Sequence, residues 1–272
     1  MKKLALCCIV CALGPPVGAQ WINHPTPRVP KGRDGRPNLT ARAPRTADGT
    51  PDLSGLWRTR TVEIPGVEPL TEPVAGSLNF PPEFGNIAAR MKEGLPYQPW
   101  ALARWQSRQA NLRLESPAGM CQPVGILQRH TNPLPKKFIQ VPGLLVILHE
   151  EDNEFRQIFT DGRPASVDPL PAFNGYSSGR WVGDTLVVRT TGFKDDWWAD
   201  RRGNPLTSAA TITEKFRRPN YGSLDLEITV DDPKAYTRPW SVTLHQDIAL
   251  NTELMEYFCS ENEKDRSHMR GR

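Results

Sequence analysis

From Lys136 onward, apolar and polar residues alternate with a period of two, and turn signals recur at short intervals. That period puts every second side chain on the same face of an extended strand, so this half of the chain is committed to sheet. In residues 223–231, Leu224, Leu226, Ile228 and Val230 share one face, and Asp225, Glu227 and Thr229 share the other. Expected strands are 137–149, 153–160, 177–182, 184–191, 209–217, 223–231, 239–248 and 252–259. Asp152-Asn153, Gly183-Asp184 and Asn220-Tyr221-Gly222 supply hairpin turns. The pattern predicts a mainly β fold, an antiparallel up-and-down, lipocalin-like barrel of about eight strands. An N-terminal extended arm and one or two helices accompany it, and a two-sheet β-sandwich is the alternative.

The same alternation turns one carboxylate inward. In 211–217 the polar side is Thr211, Thr213, Lys215 and Arg217, so Glu214 falls between Ile212 and Phe216 on the apolar side. A carboxylate there is costly unless it is paired or hydrogen-bonded.

Ahead of the strands the texture differs. Lys2 and Lys3, the apolar run Leu4 to Leu13 and the small residues Val17-Gly18-Ala19 form a signal-peptide pattern over residues 1–19. The run is too short to span a bilayer, which takes roughly 20 apolar residues. Export to the periplasm or beyond is the expected localisation, with no transmembrane segment. Of the five cysteines, Cys7, Cys8 and Cys11 lie in this leader, which leaves Cys121 and Cys259 for the exported chain. An oxidising compartment would bond them to each other. A lipid anchor at Cys7 or Cys11 is the rival use, but the run before Cys7 is short and no small-residue pair precedes Cys11.

Residues 20–60 carry most of the excess behind the net charge of +4 and are dense in proline, which excludes regular helix and central strand. The segment is expected to be an extended arm lying over the domain. Between Arg28 and Arg45 no aromatic residue is interleaved for base stacking, so a nucleic-acid partner is not expected. Residues 61–135 form a helical and loop region. Within it Leu102, Trp105, Gln109 and Leu112 recur at helical spacing, with Arg104, Arg108 and Arg113 largely elsewhere. The barrel is assigned to 136–262 and a polar tail to 263–272.

Several motifs invite catalytic readings. Gly175-Tyr176-Ser177-Ser178-Gly179 matches the G-x-S-x-G pattern of serine hydrolases, but strand and turn follow it where that chemistry needs a helix. A glycine-rich loop entering a strand is the better reading. His149-Glu150-Glu151 lacks the second histidine of a zinc-binding helix, and the five histidines are scattered, so no metal site is expected. No dinucleotide or phosphate-cradling glycine loop appears, and no cofactor is expected.

What remains is a set of polar and aromatic residues at strand ends and in long loops, where barrels place their sites. Glu214, Asp161 and Glu150 are the acid/base candidates. Arg156, Arg163, Tyr176, Trp181, Asp184, Trp197, Trp198 and Trp240 are the ligand-binding candidates. Trp197-Trp198, between Asp195-Asp196 and Asp200, would form either a stacking wall for a ring or plain loop-to-barrel packing.

Pro99-Trp100-Ala101, Cys121-Gln122-Pro123-Val124-Gly125, Phe159-Thr160-Asp161-Gly162-Arg163, the run from Gly175 to Val188, Asp231-Asp232-Pro233 through Pro239-Trp240, and Glu256 through Asn262 form a distinctive combination. Together they resemble a large secreted family of soil bacteria, over most of the mature chain. The resemblance brings no activity with it. The resemblance therefore implies export, a coherent fold and the cysteine pair, and supplies no reaction. Family members often carry a His-Ser pair where this chain has Leu206-Thr207, which argues against a histidine base at that loop.

Three classes of function fit these residues. The leading expectation is a secreted or periplasmic barrel that binds a small, partly apolar molecule in its cup. The first alternative is an acid/base hydrolase, lyase or isomerase acting there on a glycoside or phenolic compound, using Glu214 with Asp161 or Glu150. The second is a structural or interaction module working through the basic arm, with no protein partner identified.

Overall fold

The structure is a computed structural model that describes residues 24–60, 81–164 and 169–259. The leader 1–19, with Cys7, Cys8 and Cys11, and the tail 263–272 lie outside the described residues.

Nine strands close into one barrel. They are β1 (Gly55–Thr59), β2 (Lys136–Val141), β3 (Leu144–His149), β4 (Phe155–Phe159), β5 (Tyr176–Val182), β6 (Thr185–Thr191), β9 (Thr211–Asn220), β10 (Ser223–Asp231) and β11 (Trp240–Ile248). Between β6 and β9 the chain makes an excursion containing a separate two-stranded sheet, β7 (Trp197–Trp198) with β8 (Pro205–Leu206). The spatial order is β1-β11-β10-β9-β6-β5-β4-β3-β2, and β1 closes the ring by pairing antiparallel with both β11 and β2.

The barrel departs from the expected eight antiparallel strands in three places. Residues 137–149 form two strands, because Pro142 withholds a donor and Gly143 takes a φ of +77°, which turns the chain into a hairpin. Gly55–Thr59, at the end of the proline-rich segment, joins the barrel as a strand. Residues 252–259 do not form a strand, because side-chain carboxylates take backbone donors that a ladder would use. Glu150 Oε2 accepts from Met255 N at 3.0 Å, and Asp152 Oδ1 accepts from Cys259 N at 3.1 Å. In addition β4 and β5 pair in parallel, so the barrel is mixed and not a simple meander.

Alternation places the core. Ile147, Ile158, Val188, Phe216, Leu226 and Ile228 are each 0 % exposed and face inward, so no solvent-sized space adjoins them. Burying a side chain of this kind contributes about 1.5–3 kcal/mol. Phe138 and Phe216 meet edge to face with ring centroids 5.9 Å apart.

Among the described residues the α-helices are α1 (Pro82–Gly85), α2 (Pro99–Ala110), α3 (Leu112–Glu115) and α4 (Ile126–Thr131). Pro99 opens α2, where its missing donor costs nothing and its fixed φ suits the first turn. The buried side of α2 is not the predicted one. Ala101 and Arg108 are buried, while Leu102 is exposed. Arg108 is drawn in because Asp196 O and Gly203 O accept its guanidinium protons at 2.7 and 3.0 Å. Its planar group also lies over the Trp198 ring at 5.0 Å, which pins the helix to the β7–β8 excursion.

Cys121 and Cys259 are bonded, with Cα atoms 5.5 Å apart. The bridge fastens the segment after β11 to the turn Ala118–Met120, next to α4.

Candidate functional site

Glu214 sits mid-strand in β9 at 0 % exposure, where the alternation requires it to face inward. Its compensation comes from two distant elements. Arg156 on β4 donates from Nη1 to Oε1 at 2.8 Å and from Nη2 to Oε2, a two-point clamp. His130 on α4 places Nε2 at 2.7 Å from Oε1. Burial pushes the Glu214 carboxyl up, but Arg156 and His130 outweigh it and hold the group at about 2. Burial also holds His130 below its ordinary value despite the neighbouring carboxylate. A neutral ring facing a carboxylate donates from Nε2, which leaves Nδ1 as the acceptor, and among the described residues Nδ1 has no partner.

The remaining donors of Arg156 are spent on Ser177 Oγ, at 3.1 Å from Nε, and on Thr190 Oγ1, at 2.9 Å from Nη2. The two hydroxyls also meet each other at 3.0 Å. Ser177 is therefore a buried hydroxyl inside a strand, and the turn that would present a nucleophile is absent there. A second buried cation lies close by in the chain: Lys136 Nζ donates to Thr59 Oγ1 at 2.7 Å and to Asn132 O at 2.8 Å. Burial pushes this ammonium down to about 7. Opposite Lys136 in the β2–β3 register stands His149, which burial and surrounding cations hold well below its ordinary value.

The other carboxylates predicted to work with Glu214 lie elsewhere. Glu150 follows β3 and accepts from Met255 N. Asp161 stands at the other end of that strand, in contact with Gly143 and ion-paired to Arg163 at 2.6 Å. A strand of this length spans roughly 20 Å, so these two groups do not share one pocket. The acids beside Glu150 serve a third cation. Arg129, 1 % exposed, contacts Glu151 at 2.6 Å, Glu154 at 3.0 Å and Asp152 at 3.2 Å.

The ligand-binding candidates are similarly dispersed. Arg163 lies over the Phe159 ring at 3.9 Å, and Asp184 pairs with Arg45 of the arm at 2.7 Å. Tyr176 is 42 % exposed at the start of β5, and Trp181 is partly buried against the core. Trp197 meets Phe173 with centroids 4.6 Å apart, while Trp198 is buried beneath Arg108. Both tryptophan rings are thus engaged in packing.

Trp240 is in a different situation. It opens β11, packs edge to face on Tyr236 with centroids 5.5 Å apart, and is 4 % exposed, with its Nε1 donor unpartnered among the described residues. It lines a cleft of about 310 Å³ together with Met91, Lys92, Glu93, Gly94, Pro96, Arg238 and Ser241. The cleft exists because two segments are tied side by side and then part. Gln98 N donates to Ala235 O and Thr237 N to Pro96 O, each at 2.8 Å, and beyond this seam residues 91–94 and 238–241 form facing walls.

Sequence reasoning missed His130, Arg129 and Lys136 as parts of the buried polar network. The available signal was Gly125 followed by Ile126-Leu127, a helix start that carries Arg129 and His130 inward. Among the described residues, no group of three or more His, Cys, Asp or Glu side chains is placed to hold a metal ion. Among them, too, no helix is long and apolar enough to cross a membrane. No protein-family model, curated protein or solved structure matches this chain.

Proposed function

We propose that this protein is an exported β-barrel that binds a small, partly apolar molecule, and that the ligand occupies the cleft over Trp240 at the barrel rim. The observation that carries this reading is the cleft itself. Its volume of about 310 Å³ falls within the range of small-molecule sites, and its wall combines an indole, a thioether and a few polar groups. The inward face around Glu214, by contrast, is filled by side chains at 0 % exposure. Export is supported by the leader pattern and by the bonded cysteine pair.

The acid/base reading draws on one observation, the contact between His130 and Glu214. It has less support, because the two groups are 1 % and 0 % exposed and the hydroxyls of Ser177 and Thr190 are already engaged by Arg156.

Native mass spectrometry of the protein purified from its own host tests the binding reading, with a co-purifying adduct that dissociates on denaturation as the expected result. A broad fragment panel screened by thermal shift accompanies it. A ligand at about a hundred times its Kd adds roughly 2.7 kcal/mol of stability. Repeated absence of an adduct, with no fragment raising the midpoint, would overturn the proposal.

A further inference from the structure

We infer that the cleft over Trp240 selects a small organic monoanion, a carboxylate or sulfate on an apolar or aromatic body. This rests on the reading of that cleft as a ligand site and deepens it.

Charge is the first argument. The wall carries Lys92 and Arg238 against the single acid Glu93, an excess of one positive charge facing the space. Glu93 does not neutralise Arg238 firmly. Their closest atoms are 3.6 Å apart, beyond a good charge-assisted hydrogen bond, and the side chains are 86 % and 64 % exposed. An incoming carboxylate would offer the guanidinium a shorter, two-point partner than Glu93 does.

The second argument is reach. Lys92 and Arg238 are exposed at the rim, so their charged ends can turn towards an occupant, whereas the indole donor of Trp240 is closed off from the cleft and only its ring contributes. A ligand amine would be repelled by both cations, and an acid would be drawn to them.

The third argument is shape. Met91 and Pro96 join the Trp240 ring to form the apolar part of the wall, enough for one ring or a branched aliphatic body. The occupant is thus amphiphilic, its apolar body against Met91 and Trp240 and its acid toward Arg238 and Lys92.

The test titrates the full mature protein with benzoate, phenylacetate and isovalerate, each against its uncharged amide. Calorimetry reads affinity, and the indole N–H resonances in nitrogen-15 NMR report the place. The Trp240 resonance is assigned from its loss in Trp240→Phe, a change that keeps an aromatic ring and is used only for that purpose. Carboxylates are expected to move the Trp240 resonance and to bind about tenfold or more tightly than the amides. The double variant Lys92→Gln with Arg238→Gln, both exposed at the rim, should remove that preference while leaving the thermal midpoint unchanged. Raising salt should weaken carboxylate binding and spare amide binding.

Equal affinity for acids and amides, or a preference that survives the double variant, would overturn the anion assignment and leave the small-molecule reading in place. Failure of every acid to bind would overturn the assignment as well. The ligand-site reading itself falls if the amides also leave the Trp240 resonance unmoved and the adduct and fragment screens above are empty.

Discussion

Glu214 keeps its charge inside the barrel because Arg156 meets both of its oxygens and His130 meets one. Removing the acid alone would strand a buried guanidinium. Glu214→Ala is therefore expected to cost about 3–5 kcal/mol, and pairing Glu214→Leu with Arg156→Met should recover most of the loss. Urea denaturation of the three proteins measures both. The wild type should also carry an acid limb. Because the folded carboxyl sits at about 2 against an ordinary 4.5, its contribution is complete above pH 4.5 and fades as pH falls towards 2. Lys136 acts in the opposite range. Its folded value of about 7 lies below the ordinary 10.5, so between those values the unfolded chain holds the extra proton and stability rises with pH. Lys136→Met should flatten stability across that window in urea titrations at stepped pH. A wild-type curve no steeper than the variant's would exclude a buried, depressed ammonium. At this scale the inward turn of Glu214 was legible, since a period of two leaves no other face for position 214. Its partners were not, because 58 and 84 residues separate it from Arg156 and His130 and no local rule links them.

Strands β5, β6, β9, β10 and β11 were legible almost to their ends because each is bounded by a turn signal and buried on one face only. Three elements were hidden for separate reasons. The apolar run through Leu144–His149 masked the hairpin at Pro142-Gly143. The prolines before Gly55–Thr59 masked a strand, and α4 is too short for helical periodicity to register. The return from β4 to β5 is the least regular step, and Gly175 makes it possible. Its φ is +56°, and an added Cβ would lie 2.6 Å from the Thr191 carbonyl oxygen. Gly175→Ala should destabilise the fold by about 2 kcal/mol or more, from backbone strain and collision together. Gly183, with a φ of +57° and nothing within 4 Å of an added Cβ, is the matching control. Gly183→Ala should cost about 1 kcal/mol, the strain alone. Equal losses in the two variants, measured by thermal denaturation, would show that the crossover accommodates a side chain.

Closure of the whole molecule depends on segments far apart in sequence. Arg218 at the end of β9 donates to Asp52 O at 2.6 Å and Ser54 O at 3.0 Å, which holds the arm where it becomes β1. Gly222 N and Tyr221 N bind the arm's Leu39 O and Ala41 O, each at 2.8 Å. At the other side the Cys121–Cys259 bond spans a sequence separation of 138 and ties the chain after β11 back to the helical region. A cross-link over so long a loop acts mainly on the unfolded chain, and the chain-entropy relation sets an upper figure of about 5 kcal/mol. The double variant Cys121→Ser with Cys259→Ser should therefore unfold at lower urea concentration. Its denaturant slope should be steeper as well, because an unfolded chain free of the cross-link exposes more surface. Strands and register should survive, since the bridge lies outside the ladder, and circular dichroism below the transition should match the wild type. A lower midpoint with an unchanged slope would locate the effect in the folded state instead, in the strap whose donors Glu150 and Asp152 hold. Peptide mapping without reductant that recovered both cysteines as free thiols would remove the basis of the prediction altogether.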